Sequence, residues 1–371
     1  MKRETIRLPG AAPGLSAELA ILHFGASGAR PRVHIQAGLH ADEVPGMLAA
    51  HRLVPELERL EAQGRVRGEV VVLPLANPIG LGQRLLGRQE GRFDIADGLN
   101  FNRGYSLLTQ AATGLLEGEL GGDPAANAGL VRAALRQALA GIAAPTPVAA
   151  LKKALLGVAL EADIALDLHC DGEAAVHIYT HPGCLGTIEP LARLLAAEAL
   201  LVAEISGGDP FDEALTRPWA DIAARLPAPP VPCGCAAATV ELRGKADVAH
   251  EIAARDADAL LGYLAHLGAV DVAPPPLPKP RAAPTPLEST EALEAPHAGI
   301  LVYRAEIGAR VAAGTPIADI VDPSIPVSTT VAAGSDGVFF ARAATRFVAA
   351  GQRIGKIAGT ALKRSGALLS P

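Results

Sequence analysis

Val33-His-Ile-Gln-Ala37-Gly-Leu-His40-Ala-Asp-Glu43 is the stretch whose reading decides the fold. Its first five residues, Val33–Ala37, form a short apolar run and read as a buried strand. A helical pattern follows over Met47–Gln63. The same alternation returns along the chain. Val70–Leu75, Ile164–Leu168, Val176–Tyr179, Leu200–Ile205 and Ala237–Leu242 read as strands, and Asn127–Leu139, Val148–Leu160 and Ile188–Ala199 as helices. Buried strands alternating with helices predict an α/β domain with a mostly parallel or mixed sheet flanked by helices.

Outward from this pattern, residues 273–286 (APPPLPKPRAAPTP) mark a boundary. Proline at that density cannot continue a helix or a central strand and favours an extended spacer. The expected division is a catalytic α/β domain over 1–272, a proline-rich linker over 273–286 and a small all-β domain over 287–371. Short runs at Gly299–Tyr303, Thr315–Ile320 and Gly337–Ala341, punctuated by glycine and proline, carry the all-β reading. With 371 residues, half of them hydrophobic, the chain can bury a large core. A net charge of −6 gives no case for nucleic acid, and no apolar run is long enough to cross a membrane. The N-terminus has basic residues without an apolar run behind them and reads as the start of the folded protein. Four cysteines in so long a chain form no disulfide framework and fit a reducing cytoplasm. Cys233 and Cys235 read as small buried thiols.

Four segments carry residues able to do chemistry. His40 and Glu43, three apart, meet on one side of a helical turn, where an imidazole and a carboxylate can bind one Zn²⁺. An exposed helix start with acids near the dipole is the plainer reading of that segment. Ile164-Ala-Leu-Asp167-Leu-His169 ends another apolar run in a histidine. Asp167 lies on the same strand face and could orient His169. His177 and His181 are rival ligands, with Glu173 as the only nearby acid. Glu241 ends the run Ala237–Val240, and a partner for Arg243 is its plainer role. Asn77-Pro78 ends the run Val70–Leu75 and leads to Gly91-Arg92-Phe93-Asp94 and Asn100-Phe101-Asn102-Arg103. Asn102 and Arg103 in that polar loop could clamp a carboxylate, since guanidinium grips one bidentately. The four segments gain weight together, because ligands of open α/β sheets bind beyond the carboxyl ends of the strands.

The motifs G-L-H-A-D-E at 38–43, N-P at 77–78, N-F-N-R at 100–103, D-L-H at 167–169 and V-E-L at 240–242 resemble the succinylglutamate desuccinylase/aspartoacylase family, of the zinc carboxypeptidase-like clan. The resemblance covers roughly residues 30–250. It implies one zinc per chain on His40, Glu43 and His169, Glu241 as the catalytic carboxylate, and Asn102 and Arg103 as binders of a substrate carboxylate. It further implies an arginine that polarises the scissile carbonyl; Arg92 is the choice, with Arg84 and Arg88 as competitors. Family members often carry D-L-N-R where this chain has N-F-N-R. Tyr179 either lines the pocket or packs in the core. The implied function is hydrolysis of an amide in a small N-acyl amino acid or related carboxylate-bearing amide. The alternatives are a metallocarboxypeptidase acting on peptides and a non-catalytic, metal-containing binding protein. The C-terminal part is similar to a biotinyl/lipoyl-type barrel-sandwich. Val311-Ala-Ala-Gly314 recurs as Val348-Ala-Ala-Gly351, which hints at internal duplication. A carrier would need a lysine in a hairpin, and residues 306–350 hold none, so the expected role is an unmodified domain that caps the active-site cleft and narrows it to small substrates. The expected partner is a small-molecule substrate, without nucleic acid or membrane, and the sequence leaves homo-oligomerisation open.

Overall fold

The computed structural model describes residues 1–361 and Leu368. The end of the predicted C-terminal β-region, 362–367 and 369–371, lies outside the described residues. Strands β1 (Lys2–Pro9) and β2 (Ser16–Phe24) form an antiparallel hairpin. They are followed by β3 (Arg32–Ala37), α1 (Val44–Ala62) and β4 (Glu69–Leu73). A loop region then carries α2 (Pro78–Leu81) and the small pair β5 (Arg84–Leu85) and β6 (Arg88–Gln89). Three helices follow: α3 (Thr109–Leu116), α4 (Pro124–Ala140) and α5 (Pro147–Ala159). Then come β7 (Ile164–Asp171), β8 (Glu173–Ala174), β9 (His177–Thr180), α6 (Leu185–Leu194) and β10 (Ala199–Val202). Helix α7 (Phe211–Arg225), β11 (Ala236–Gly244), α8 (His250–His266) and β12 (Pro284–Pro286) complete this part.

Nine strands form one mixed sheet in the order β1-β2-β4-β3-β7-β11-β9-β10-β12. The centre, β4-β3-β7-β11, is parallel. After β3 the chain moves to β4 on one side, then returns to β7 on the other. That reversal opens a crevice at the carboxyl ends of β3 and β7, where such sheets bind ligands. Side chains alternate between two cores. Val33, Ile35, Leu166, Leu168, Ala238 and Val240 pack on the side of α1, α6 and α8. Val71, Leu73, Ala165 and Ala237 face α3, α4, α5 and α7. Residues 167, 169, 239 and 241 belong to this second face, so the polar positions of the central strands point the same way.

The α/β reading of the sequence is borne out. The helix expected over Ile188–Ala199 ends at Leu194, because the chain turns through Ala196 (φ 54°) to enter β10. The N-terminal hairpin, α3, α7 and α8 were not anticipated. Within 273–286 the chain is tied down: Arg193 donates to the carbonyls of Leu277 and Pro278, and β12 pairs with β10.

The C-terminal strands are β13 (Thr290–Glu294), β14 (Gly299–Tyr303), β15 (Arg310–Val311), β16 (Pro316–Asp322), β17 (Val327–Ala332), β18 (Gly337–Arg342), β19 (Phe347–Val348) and β20 (Arg353–Gly359). They form two antiparallel sheets, β13-β20-β18-β15 and β17-β16-β14-β19, around Ile317, Ile320, Phe339, Val348, Ile354 and Ile357. Gly314 and Gly351, which end the two copies of the V-A-A-G motif, both take positive φ (86° and 74°) after a two-residue strand. β8 pairs with β18 and links these strands to the segment just past β7.

Candidate active site and metal centre

His40 and Glu43 occupy a tight turn ahead of α1, and Glu43 is the residue that caps the helix. The turn is closed by the Glu43 N–H donating to the His40 carbonyl at 3.0 Å, so the pair meets before the helix and not within it. Gly38 starts the turn with φ 72°, a conformation that favours glycine. Asn77 donates to the Leu39 carbonyl (2.9 Å) and Gln89 to that of Ala41 (2.8 Å). Gly91 packs flat on the turn, where its carbonyl accepts from the Ala41 N–H at 2.9 Å. A Cβ there would stand 2.3 Å from the Asp42 nitrogen, so no side chain fits.

His169 comes from β7 and meets this turn across the crevice. Its Nδ1 lies 2.9 Å from one Glu43 oxygen, and His40 Nδ1 lies 3.0 Å from the other. The Cys170 N–H also donates to Glu43 (3.1 Å). One ligand atom from each of His40, Glu43 and His169 falls within 4.8 Å of the others, and all three residues are buried. Each imidazole has its outer nitrogen anchored: His40 Nε2 to Asn100 Oδ1 at 2.8 Å, His169 Nε2 to Asp167 Oδ2 at 2.8 Å. With an ion in place these partners would hold the Nε2 protons and leave the Nδ1 lone pairs for the ion. Two neutral imidazole nitrogens and a carboxylate, each oriented from behind, suit a divalent metal of the zinc type. The cluster could therefore hold such an ion.

The electrostatics are those of a charged centre. Burial pushes the Glu43 carboxyl up, but the two imidazoles outweigh it and hold it well below the usual carboxylate range. Burial lowers His40. Burial acts the same way on His169, but Asp167 and Glu43 overcome it and raise this imidazole well above its ordinary value. A proton and a metal ion compete for the same lone pairs.

Behind His169 a buried polar chain runs along the sheet. Gln36 donates to Asp167 Oδ1 (3.1 Å), and its own carbonyl oxygen meets His34 Nε2 (3.1 Å). Sequence reading found Asp167 and missed Gln36 and His34, whose signal was the alternation of polar residues along β3. Neither rival ligand joins the cluster. His177 bonds the Ala175 carbonyl and packs on Phe340, while His181 accepts from Gly183. Glu173 pairs with Arg342 and Arg346 instead.

A cavity of about 310 Å³ opens beside the cluster. Glu241, in register with His169 on the neighbouring strand, lines it. One of its oxygens is buried without a hydrogen-bond partner among the described residues. Burial and the nearby Glu43 charge push the Glu241 carboxyl up to about 8, with His169 and Lys356 pulling the other way. Arg92 also lines the cavity, its Nη1 3.2 Å from both His40 Nδ1 and Glu43 Oε1. Its competitors are elsewhere: Arg84 donates to the carbonyls of Leu81 and Gln83, and Arg88 is exposed on β6. Arg243, offered as a partner for Glu241, pairs with Asp256.

Asn102, Arg103 and Tyr179 complete the lining named from sequence. Asn102 Oδ1 accepts from the Phe211 N–H at the start of α7 (2.9 Å), and its amide nitrogen faces His169 Nε2 at 3.4 Å. Arg103 donates to the Asn102 carbonyl (2.7 Å). Lys152 of α5 holds this loop by donating to the carbonyls of Asn100 (3.1 Å) and Arg103 (2.6 Å). The sequence missed Asn100 as an orienting group and Lys152 as the loop's anchor. The C-terminal strands contribute a wall of the cavity, and the residues that face it, Arg342, Arg353 and Lys356, were not named from sequence. Lys356 Nζ lies 2.5 Å from Asp171, whose carboxyl it holds down to about 2 against burial. Arg342 and Arg346 reach Glu173 at 2.7 and 2.6 Å.

The open α/β sheet thus carries a buried His-Glu-His cluster at the carboxyl ends of its central strands. Residues 29–117 match the family model of the succinylglutamate desuccinylase/aspartoacylase catalytic domain, which bears out the resemblance carried by the motifs. The whole chain is similar to a protein assigned to that family from Shewanella amazonensis SB2B, at 27% identity and a TM-score of 0.84, covering 96% of this chain and 98% of that one. It shares its fold with a protein from Shewanella frigidimarina NCIMB 400 (24% identity, TM-score 0.81, 96% and 97% covered). It also shares the fold of the ectoine utilization protein EutE from Ruegeria pomeroyi (16%, TM-score 0.65, 96% and 95%). No curated protein matches the chain. No helix among the described residues is long and apolar enough to cross a membrane.

Proposed function

We propose that the protein is a zinc-dependent deacylase that hydrolyses the amide bond of a small N-acyl amino acid or a related carboxylate-bearing amide. The observation that carries this reading is the placement of Glu241. It stands beside the Nδ1–carboxylate cluster on the neighbouring strand, at the wall of the same cavity, with an oxygen that has no hydrogen-bond partner among the described residues.

A zinc ion held by His40, Glu43 and His169 would supply Lewis-acid polarisation of the amide carbonyl and a positive charge that offsets Glu43 beside Glu241. The remaining work falls to the chain itself. Glu241 takes a proton from the attacking water and passes it to the leaving amine. Arg92 donates to the oxygen that gains charge as the carbonyl is attacked. Asn102 and Arg103 fix the substrate carboxylate, and Tyr179 flanks the bound molecule. Asp167 and Asn100 keep both imidazoles turned inward. The wall formed by β18 and β20 limits the cavity to small molecules, which favours N-acyl amino acids over polypeptides.

The reading also places the enzyme in the cytoplasm, as a chain whose four cysteines form no disulfide. A hydrolysis screen of zinc-loaded protein tests the function against acetyl-, succinyl- and formyl-amino acids, their neutral amide analogues and short peptides. Turnover of a carboxylate-bearing N-acyl amino acid, lost on chelation and restored by zinc, is the expected result. Zinc-loaded protein that cleaves none of them, or that prefers peptides, would overturn it.

A further inference from the structure

Two cysteines that the reaction does not use lie together away from the metal cluster. Cys184 closes the turn ahead of α6, and Cys233 lies in the loop that enters β11. Their sulfurs are 4.0 Å apart. The sequence led us to expect small buried thiols here. Cys184 and Cys235 are buried, but Cys233 is exposed, which corrects that expectation. Cys233 Sγ also approaches the Cys235 carbonyl at 3.6 Å, and Cys184 Sγ approaches Thr216 Oγ1 at 4.0 Å.

An exposed thiol against a buried one is an asymmetric pair. The hydrogen bond from Cys184 pulls the Cys233 thiol down to about 7 against burial, so Cys233 is the member that ionises near neutrality. The same hydrogen bond, with burial, pushes the Cys184 thiol up and keeps it protonated. A thiolate that is exposed attacks disulfides, and a second thiol in van der Waals contact can resolve the product. Closing the sulfurs from 4.0 Å to bonding distance, about 2.05 Å, is a movement of roughly 2 Å that rotation of one side chain on a loop can supply.

We propose that Cys233 and Cys184 form a thiol–disulfide exchange site for a low-molecular-weight disulfide, RS–SR. In the first step the Cys233 thiolate attacks one sulfur of RS–SR, a Cys233–SR bond forms, and RS⁻ leaves with the electron pair and takes up a proton. Capping Cys233 removes the charge that held the Cys184 proton. In the second step Cys184 gives up that proton, its sulfur attacks Cys233 Sγ, the Cys184–Cys233 bond forms, and the second RS⁻ leaves. It is protonated by the proton Cys184 released. Overall the two protein thiols lose two electrons, and RS–SR is reduced to two RSH. The bond would tie the turn after β9, which carries Thr180 and His181, to the loop that enters β11, which carries Thr239 and Glu241. All four residues line the cavity, so the site couples the redox state of the surroundings to the cavity wall.

The test uses the full-length protein, reduced, freed of reductant and incubated with glutathione disulfide, then read by intact mass and peptide mapping. Wild type is expected to become lighter by two hydrogens, with Cys184 joined to Cys233. Cys184→Ser should instead accumulate one glutathione on Cys233, and Cys233→Ser should gain neither adduct nor bond. Cys235→Ser should behave as wild type. Cys184→Ala replaces Cys184→Ser if circular dichroism shows the latter misfolded. A lasting glutathione adduct on wild type, a Cys233–Cys235 bond, labelling of Cys233→Ser at Cys184, or no reaction would each overturn the proposal.

Discussion

The two imidazoles of the candidate metal centre are held by opposite means. His169 stands in a β-ladder: it pairs with Glu241 of β11, one residue past the last pairing of its strand with β3, and Asp167, two residues earlier on the same face, orients it at 2.8 Å. His40 stands in a turn, and the group that orients it, Asn100, is 60 residues away in a loop. That loop has almost no sheet of its own. It is pinned by Lys152, by the Asn102–Phe211 contact and by Gly91 lying on the turn. A ladder residue is placed by register, and a loop residue by single side-chain contacts. One slip in the first moves a whole face, whereas losing one contact in the second frees one group. The two halves of the site should therefore fail differently.

Removing the ladder histidine is the harshest way to break the comparison. His169→Ala should lose stoichiometric zinc, measured by elemental analysis, and hydrolysis should fall to background. Full retention of zinc would show that the ladder half is dispensable and that the cluster is not the metal site. Next in size is Glu241→Gln, which keeps the shape of a ladder residue and removes only its ability to take a proton. Its kcat should fall by roughly 10²-fold or more, with zinc intact and KM little changed. Loss of zinc in that variant would make Glu241 a ligand. Unchanged turnover would assign the base elsewhere.

The third prediction sharpens the contrast itself. Asp167→Asn and Asn100→Ala each remove the group behind one imidazole. Each should weaken zinc binding by about 10- to 100-fold, the usual cost of losing such a support. Asp167→Asn should cost more, because a carboxylate that stabilises a charged centre is replaced by an amide, and because the one amide oxygen cannot accept from both Gln36 and His169. Competition titration against a chelator of known affinity reads both. Equal losses would mean that orientation alone matters and the negative charge of Asp167 does not.

The same contrast explains what could be read from sequence. Strand residues announce themselves, because burial on both faces of β3, β7 and β11 writes continuous apolar runs, and a His, Asp or Glu in such a run stands out. His169, Asp167 and Glu241 were legible in this way. The turn residues His40 and Glu43 were legible because they follow such a run directly. The α/β class followed from the alternation of runs and helices. Asn100 stood in a noticed motif, but nothing local in a polar loop tells which asparagine reaches an imidazole 60 residues back. Arg92 could not be separated from Arg84 and Arg88 by composition, and only the fold of the loop against Ala41 does so. Lys356 and Arg342 were invisible, since their place at the cavity depends on how β8 pairs with β18. The N-terminal hairpin was missed as well. Its first strand is exposed along most of its length and its second mixes exposed and buried positions, so no continuous apolar run marked them.

Arg103 gives the smallest effect and the finest test of the loop half. It lies one residue past Asn102, donates to that residue's carbonyl and lines the cavity, while Lys152 holds its own carbonyl. Truncating the side chain removes its bond to the Asn102 carbonyl but leaves Lys152 on the Arg103 carbonyl and the Arg103 N–H on the Asn100 carbonyl (3.3 Å), so Arg103→Ala should keep the fold of the loop and the zinc. If the guanidinium grips a substrate carboxylate equally in the ground and transition states, KM rises and kcat stays. A hydrogen bond to a charged group contributes about 1.5–3 kcal/mol, which sets the expected rise at roughly 10- to 100-fold, towards the lower end where the arginine is partly exposed. A neutral amide analogue makes no such contact and should lose little. Steady-state kinetics on the matched pair decide the matter. An equal loss on both substrates would mean that Arg103 shapes the loop and does not read a carboxylate. A fall in kcat with KM unchanged would move it to the reacting carbonyl, beside Arg92.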